Sequence, residues 1–328
     1  MRFAVIGAGA TGARVARQLA STDLVERIWV DDVRLDLVRA VRASLGTIAR
    51  DGRGRVFDRD DIDVAILATP SGTHGPMASR LVEHGVSVVS ISDAPEDVDA
   101  LLTLDLDRHP EVTVVAGAGF APGLTCVLAR HASDAFDAVD EVHVAKSGTG
   151  GPACARQHHR ALSSSAVDWR DGQWVRRPGG SGRQLWWFPD PVGAQDCYRA
   201  ALADSTLLQA AFPNADRITA RVAATRRDRF TSRLPMLRRP HPEGLVGAVR
   251  VEVWGRRGAA REGIVYGAID RPAVAAGAVA ALAAVWVASG SVERAGVGGL
   301  ASLVAPLPFL TDLERRGIRA AVFEGDDG

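Results

Sequence analysis

Lysine is almost absent from this chain: Lys146 is the single one in 328 residues, and arginine supplies the rest of the side-chain positive charge. Lys plus Arg and Asp plus Glu stand at 39 each, so the formal net charge is zero. Without a global field of one sign, nothing draws the protein to nucleic acid or to an anionic membrane surface. Cysteine is nearly as scarce. Cys126, Cys154 and Cys197 are odd in number and lack CxxC spacing, which excludes a disulfide scaffold and fits reduced thiols in a cytoplasm. Cys154 and His158 lie four apart, but two ligands do not make a metal site, and no metal is expected. The first residues have no basic, apolar and cleavage regions in succession, so no secretory signal is read and a cytoplasmic location is expected. Long apolar runs are also missing, with one imitation: residues 272–289, PAVAAGAVAALAAVWVAS, carry no charge. Half of that run is alanine, which adds little insertion energy. The expectation is a buried helix that starts at Arg271-Pro272, stops at Gly290 and packs against a sheet.

What the sequence does have is concentrated at its start. Arg2-Phe3-Ala4-Val5-Ile6 reads as a strand, and it runs into Gly7-Ala8-Gly9-Ala10-Thr11-Gly12 and then a helical stretch to Ala20. In this pattern Gly7 permits a tight turn, Gly9 lets backbone approach a pyrophosphate, and Gly12 allows close packing of helix on strand. The phosphates would sit at the helix N-terminus, where unpaired N–H groups favour negative charge. A second apolar strand, Arg27-Ile28-Trp29-Val30, ends in Asp31-Asp32, about 20 residues past the third glycine, which is where an acid binds the adenosine ribose. Asp32 is the better placed of the two, with Asp31 on the opposite face of the strand. An acid there repels a 2′-phosphate and favours NAD, while Arg34 nearby is a candidate partner for that phosphate and keeps NADP possible.

At 328 residues the chain is long enough for two domains. Beyond the first unit, strands and helices alternate. Residues 35–45 read as a helix, 63–69 as a two-sided strand, 73–83 as a helix, 86–92 as a strand, 96–107 as a helix and 112–117 as a strand. The fold class is therefore α/β: a doubly wound parallel Rossmann sheet, followed by a second α+β domain on a mainly antiparallel sheet. In that second domain, strands are read at 139–145, 184–188, 217–224, 246–254 and 263–269, with a helix at 155–166 and a turn at Asp171-Gly172. The run GRRGAAREG from Gly255 is expected as the polar hairpin loop between the last two strands. The expected domains are 1–123 for the dinucleotide, 124–270 for substrate and dimerisation, and 271–328 returning to the first. One face of the second sheet is open to a twofold partner, so a homodimer is expected.

Ligands of doubly wound sheets lie beyond the carboxyl ends of the strands. That ranks Gly7–Gly12, Asp31-Asp32, Thr69-Pro70-Ser71, Ser92-Asp93 and the stretch 118–123, AGFAPG, as site segments. The motifs GAGATG, LATPSGTH at 67–74 and AGFAPGLTCVLARH at 118–131 resemble the saccharopine dehydrogenase-like oxidoreductases, a group that includes saccharopine reductases, lysine dehydrogenases and carboxynorspermidine dehydrogenases. The stretch 296–318 is similar to the segment by which those chains return to the nucleotide domain. The resemblance implies a nicotinamide near Thr69, Pro70, Ser71, Phe120 and Pro122, and hydride transfer at carbon–nitrogen bonds of amino-acid-like or polyamine-like small molecules, imine reduction among them. The middle third departs from the family pattern, and its carboxylate-binding residues do not map onto this chain.

Hydride transfer needs a proton source for the substrate heteroatom. Candidates are Lys146, His158, His159 and Asp93, with His143, Cys154 and Tyr198 behind them. A buried Lys146 is expected to have a lowered pKa suited to acid–base work. His158 and His159 point about 100° apart on a helix, so at most one faces the crevice. Arg156 and Arg160, four apart, can clamp a carboxylate, with Cys154 beside them in the substrate site. LATPSGTH also resembles sugar and polyol dehydrogenases of the Gfo/Idh/MocA type. Those carry a Glu-Lys-Pro turn where this chain has Ser92-Asp93-Ala94-Pro95. A non-catalytic NAD-binding scaffold or sensor is the third reading.

Overall fold

The structure, a computed structural model, describes residues 1–54, 56–58, 61–236 and 239–322. Its first half alternates as expected: β1 (Arg2–Ile6), α1 (Ala10–Ala20), β2 (Arg27–Asp31), α2 (Leu35–Leu45), β3 (Ala49–Asp51), β4 (Val64–Leu67), α3 (His74–Val82), β5 (Ser87–Ser90), α4 (Pro95–Leu102) and β6 (Thr113–Val115). The strands are short and apolar because helices cover both faces; every residue of β4 and β6 is buried. Helix α4 is shorter than the apolar spacing suggested and stops at Leu102.

The second half holds α5 (Leu124–Ser133), β7 (Ala138–Ser147), α6 (Pro152–Ala161), β8 (Ala166–Arg170), β9 (Gln173–Arg177), β10 (Gln184–Trp187), β11 (Ala194–Tyr198), α7 (Asp204–Ala211), β12 (Arg217–Ala223), α8 (Arg226–Thr231), β13 (Gly247–Arg257) and β14 (Ala260–Asp270). The chain ends with α9 (Pro272–Ala288), β15 (Gly296–Gly298), α10 (Leu300–Leu303), α11 (Pro306–Arg315) and β16 (Ala320–Val322).

Two sheets result. The first runs β15-β6-β5-β4-β1-β2-β3, and all its pairings are parallel. Its order reverses between β1 and β4, which opens a crevice above their carboxyl ends. The second runs β10-β11-β12-β7-β13-β14-β16, with β8 paired to β12 and β9 to β8. It is antiparallel except for β7 beside β12. The GRRGAAREG run is not a long loop: β13 and β14 pair out to Arg257 and Ala260, leaving Gly258-Ala259 as the turn. Polar side chains there reflect strand ends in solvent rather than loss of the ladder.

Strand β15 supplies the far edge of the first sheet, and β16 closes the second. The last six residues, 323–328, lie outside the described residues. Helix α9 packs mainly on α1 and also lies over β4 and β5. Its alanines permit that approach, and a Cβ on Gly277 would stand 2.5 Å from the Arg14 Cβ. Helix α5 is nearly all buried, lying on the second sheet with α7, α10 and α11 around it. One continuous apolar core joins both sheets. Among the described residues no helix is long and apolar enough to cross a membrane.

Candidate active site

The turn after β1 is shaped by close approach. Gly7 has φ +101°, and a Cβ there would strike the Ala68 carbonyl oxygen at 2.4 Å; one on Gly12 would strike the Gly7 oxygen at 1.8 Å. Gly9 is different, since a Cβ there meets nothing within 4 Å. It opens onto the N-terminus of α1, which has no side-chain cap and so offers its first N–H groups, those of Ala10, Thr11 and Gly12, to an anion. A dinucleotide pyrophosphate fits this cradle. Asp32 turns back onto it: its carboxylate accepts from the Ala8 N–H at 2.6 Å and the Arg34 N–H at 2.8 Å, and its remaining lone pairs can accept from ribose hydroxyls. Asp31 instead faces Asp51 and Arg53, and burial followed by the neighbouring acids raises its pKa. The Arg34 side chain is exposed and paired to Asp36 at 2.6 Å.

The 69–74 turn is held from below by Asp97, which is buried and accepts from the Gly72 N–H (2.9 Å), the His74 N–H (3.1 Å) and the Ser92 hydroxyl (2.7 Å). His74 is fully buried, and burial lowers its pKa. Its Nε2 donates to the Thr69 carbonyl (3.0 Å), so its Nδ1 accepts from Ser90 Oγ (2.8 Å). Thr69 Oγ1 pairs with Thr73 Oγ1 at 2.8 Å, and the Pro70 carbonyl accepts from Thr73. Ser71 reaches across the crevice and donates to Gln157 Oε1 on α6 at 3.0 Å.

Four of the sequence candidates converge opposite these turns. Lys146 Nζ, at the end of β7, lies 2.9 Å from Asp93 Oδ2 and 3.0 Å from the Ala121 carbonyl oxygen. His158 Nε2 donates to the same Asp93 oxygen at 3.0 Å and stands 3.7 Å from Cys154 Sγ, one turn earlier on α6. Lys146 and His158 are buried; Asp93 and Cys154 are partly open to the crevice. Asp93, Cys154 and His158 are close enough together to share a cation, yet the Asp93 oxygen facing His158 already receives the ammonium of Lys146. That arrangement neutralises the carboxylate without one.

Burial opposes charge on each of these groups, and their neighbours decide the outcome. Lys146 and His158 overrule burial at Asp93 and hold its carboxyl well below the usual range. Lys146 does not show the expected lowering. Burial pulls its pKa down, but the carboxylates of Asp93 and then Asp204 raise it, so the ammonium is stabilised. Against burial, Cys154 and then Asp93 raise His158 to about 9. Cys154 is lowered, chiefly by His158, whereas burial pushes Cys126 and Cys197 up to about 12.

Other candidates fall elsewhere. His159 turns away from the cluster, its Nε2 2.8 Å from the Leu234 carbonyl. Arg160 joins Gln157 (3.1 Å) and Ser71 (3.3 Å), while Arg156 is exposed, so the two arginines do not form a clamp. His143 lies on the opposite face of the second sheet, between Glu141 and Thr219. Phe120 and Pro122 are buried within their turn, where the Gly119 N–H donates to the Pro122 oxygen at 2.8 Å; the turn presents the Ala121 carbonyl to Lys146. Tyr198 is buried on the Lys146 face of the sheet, two strands away. Asp97, Gln157 and Ala121 were not singled out by sequence, for their partners are distant in the chain.

Comparison with known proteins bears on the cradle. Residues 1–103 match the oxidoreductase family with an NAD-binding Rossmann fold, Gfo/Idh/MocA. Residues 1–103 are thus similar to the NAD-binding domains of that oxidoreductase family. A siroheme synthase of Azotobacter vinelandii is 31% identical over 134 residues, 39% of this chain and 27% of that one. An inositol 2-dehydrogenase of Saccharopolyspora erythraea is 32% identical over 125 residues, 36% of this chain and 34% of that one. The chain therefore spans about a third of the length of these curated relatives. Over its whole length it is similar in fold to the saccharopine dehydrogenase (L-Glu forming) of Saccharomyces cerevisiae, with a TM-score of 0.70, 15% identity, and 98% of this chain and 100% of that chain covered.

Proposed function

We propose that the protein is an NAD(P)-dependent dehydrogenase or reductase of the saccharopine dehydrogenase-like type. In this reading it transfers hydride between nicotinamide and a carbon–nitrogen bond of a small amino-acid-like or polyamine-like substrate. NAD, when bound, supplies or accepts the hydride. The observation that carries the reading is the Lys146–Asp93–His158 cluster, which faces the crevice between the 69–74 turn and the 118–123 turn. Two protons are held there, at Lys146 Nζ and His158 Nε2, around one carboxylate. A proton given to a substrate nitrogen leaves a neutral amine or imidazole that the same carboxylate continues to orient. Cys154, Arg160 and Gln157 line the α6 side of the substrate space. Residues 1–123 bind the nucleotide, 124–270 shape the substrate site and offer the open sheet face to a second copy in a cytoplasmic homodimer, and 271–328 close the molecule.

Support for carbon–nitrogen chemistry comes from the 118–131 motif and from Asp93 in a turn where sugar dehydrogenases of the Gfo/Idh/MocA type carry lysine. A polyol substrate is the second reading, favoured by the family match over residues 1–103. Screening the purified protein with NAD and NADP against amino acids, polyamines and polyols, and following reduced nicotinamide, tests both. Turnover of an amine but no polyol is expected, and the reverse outcome overturns the proposal. Cofactor binding without turnover of any of these leaves the sensor reading.

A further inference from the structure

Surroundings set Cys154 apart from the other two cysteines. It stands in the first turn of α6, whose N-cap residue, Gly151, makes no side-chain hydrogen bond to the helix, and it is partly open to the crevice. Cys126 and Cys197 are fully buried, in α5 and β11. The Cys154 Sγ lies 3.7 Å from His158 Nε2, which also donates to Asp93 at 3.0 Å. A nucleophile, an acid–base partner and a carboxylate that holds the partner therefore share one cluster, the arrangement that activates a thiol. Charge points the same way. Lys146 and protonated His158 bring two positive charges to the single carboxylate of Asp93. In a cluster nearly closed to water a second negative charge is favoured, and the Cys154 thiolate supplies it. Burial opposes that thiolate, but His158 and then Lys146 outweigh both burial and Asp93, and the pKa of Cys154 is lowered. The start of a helix acts in the same direction.

We propose that Cys154 is an oxidation site: a small hydroperoxide converts its thiolate to the sulfenic acid and thereby switches off the proton donor beside it. The thiolate attacks one peroxide oxygen, so an S–O bond forms and the O–O bond breaks. The departing hydroxide takes the proton from His158 Nε2 and leaves as water. Sulfur loses two electrons and the peroxide gains them. His158 is left neutral, and it has lost in the thiolate the neighbour that most favours its charged form. The partial exposure of the sulfur suits a small oxidant. The other two thiols are buried on different elements, and burial pushes both up to about 12, so neither is placed to close a disulfide with Cys154. Reversal falls to an outside thiol, which forms a mixed disulfide and water before a second such thiol frees Cys154.

Loss of the proton donor rests on the function proposed above, but the oxidation rests on the cluster alone, and its test needs neither substrate nor NAD. The protein is mixed with hydrogen peroxide and a cyclic dione that traps sulfenic acids, and each cysteine is mapped by mass spectrometry. One adduct is expected, on Cys154. At pH 6 it should form at least about tenfold faster than the same adduct of free cysteine, which is almost wholly protonated there. A Cys154 rate no higher than that of free cysteine overturns the proposal, and so does an adduct confined to Cys126 or Cys197. His158→Gln removes the proton for the departing hydroxide and should slow labelling of Cys154 about tenfold or more; an unchanged rate overturns the proposal equally. Should that variant fail to fold, the unaltered protein provides a second measurement. Between pH 8 and pH 6 free cysteine loses nearly all of its rate, and Cys154 should lose much less; equal losses overturn the proposal. Where a substrate is found, peroxide should abolish turnover and a thiol reductant should restore it, whereas labelled protein that turns over at full rate overturns the switch. Failure to find any substrate leaves the labelling to decide the oxidation, so the two proposals fail separately.

Discussion

Lys146 Nζ and Asp93 Oδ2 are 2.9 Å apart, and that contact ties the carboxyl end of β7 in the second sheet to the turn after β5 in the first. It joins the half built on the first sheet to the half built on the second. Replacing Lys146 by Met should therefore abolish most turnover while leaving NAD affinity within about twofold, as measured by nicotinamide fluorescence. It should also destabilise the protein, by up to about 3–5 kcal/mol, because the buried Asp93 carboxylate loses its main partner. Chemical denaturation reads this directly, and the double variant with Asp93→Asn should recover part of the loss. Equal destabilisation in single and double variants would refute the pairing.

His158 makes stability depend on pH. Its pKa is raised in the folded protein to about 9, against about 6.5 when unfolded. The stabilisation carried by His158 is then fully present below pH 6.5 and is lost as pH rises toward 9, on the order of 3 kcal/mol, offset in part by Cys154, whose lowered pKa acts in the opposite sense. Asp93 acts in the opposite sense: its depressed pKa gives stability that is lost as pH falls below the ordinary carboxylate range. Unfolding free energies measured from pH 6 to 9.5 should decline in the unaltered protein and flatten in His158→Gln. An unchanged slope in that variant would remove His158 as the cause.

The glycines of the first turn should separate by function. Gly12→Ala drives a methyl into the Gly7 oxygen and should lower Tm by several degrees. Gly9→Ala meets nothing in the protein, so Tm should hold while NAD affinity falls at least tenfold. Calorimetry with and without NAD distinguishes the two. Loss of stability in Gly9→Ala would argue that the open side of the turn has no ligand role.

Asp32→Ala removes both a brace on the Ala8 N–H and an acceptor for the ribose. A fall in NAD affinity of roughly 10- to 100-fold is expected, about 1.5–3 kcal/mol for a lost charged hydrogen bond. NADP affinity should fall less, narrowing the preference. Asp31→Ala, whose carboxyl faces Asp51 and Arg53, should leave that preference in place.

His159 and Arg156 serve as controls. His159→Ala loses a hydrogen bond to Leu234 and no contact with the Lys146 cluster. Turnover should stay within about twofold of the unaltered enzyme, whereas His158→Ala should reduce it strongly. A large loss with His159→Ala would show that the contact with Leu234 shapes the reaction.

Much of the first sheet is legible in sequence because a strand covered on both faces must be apolar throughout, and runs such as Val64–Leu67 leave few alternatives. The glycine turn is equally plain, since Gly7 and Gly12 have no room for a side chain. The second sheet is harder to read. Strand β11, with the sequence AQDCY, mixes polar and apolar residues because its two faces meet different layers. Helix α7 is short and begins with a buried acid, which propensity alone does not suggest. The charge state of Lys146 was misjudged for a related reason: burial is foreseeable from pattern, but Asp93 and Asp204 reach the lysine from 53 and 58 residues away, respectively. Contacts of that separation are set by topology, and topology also chose His158 over its neighbour.

The return of the chain end to the first sheet limits how this protein can be recombined. A nucleotide-binding module excised at residue 123 would forfeit the edge strand β15 and the alanine-rich cover that α9 lays over α1. Exchanging the half built on the second sheet with that of another protein therefore requires grafting an internal segment with two junctions, and a simple fusion at one point would leave both halves incomplete.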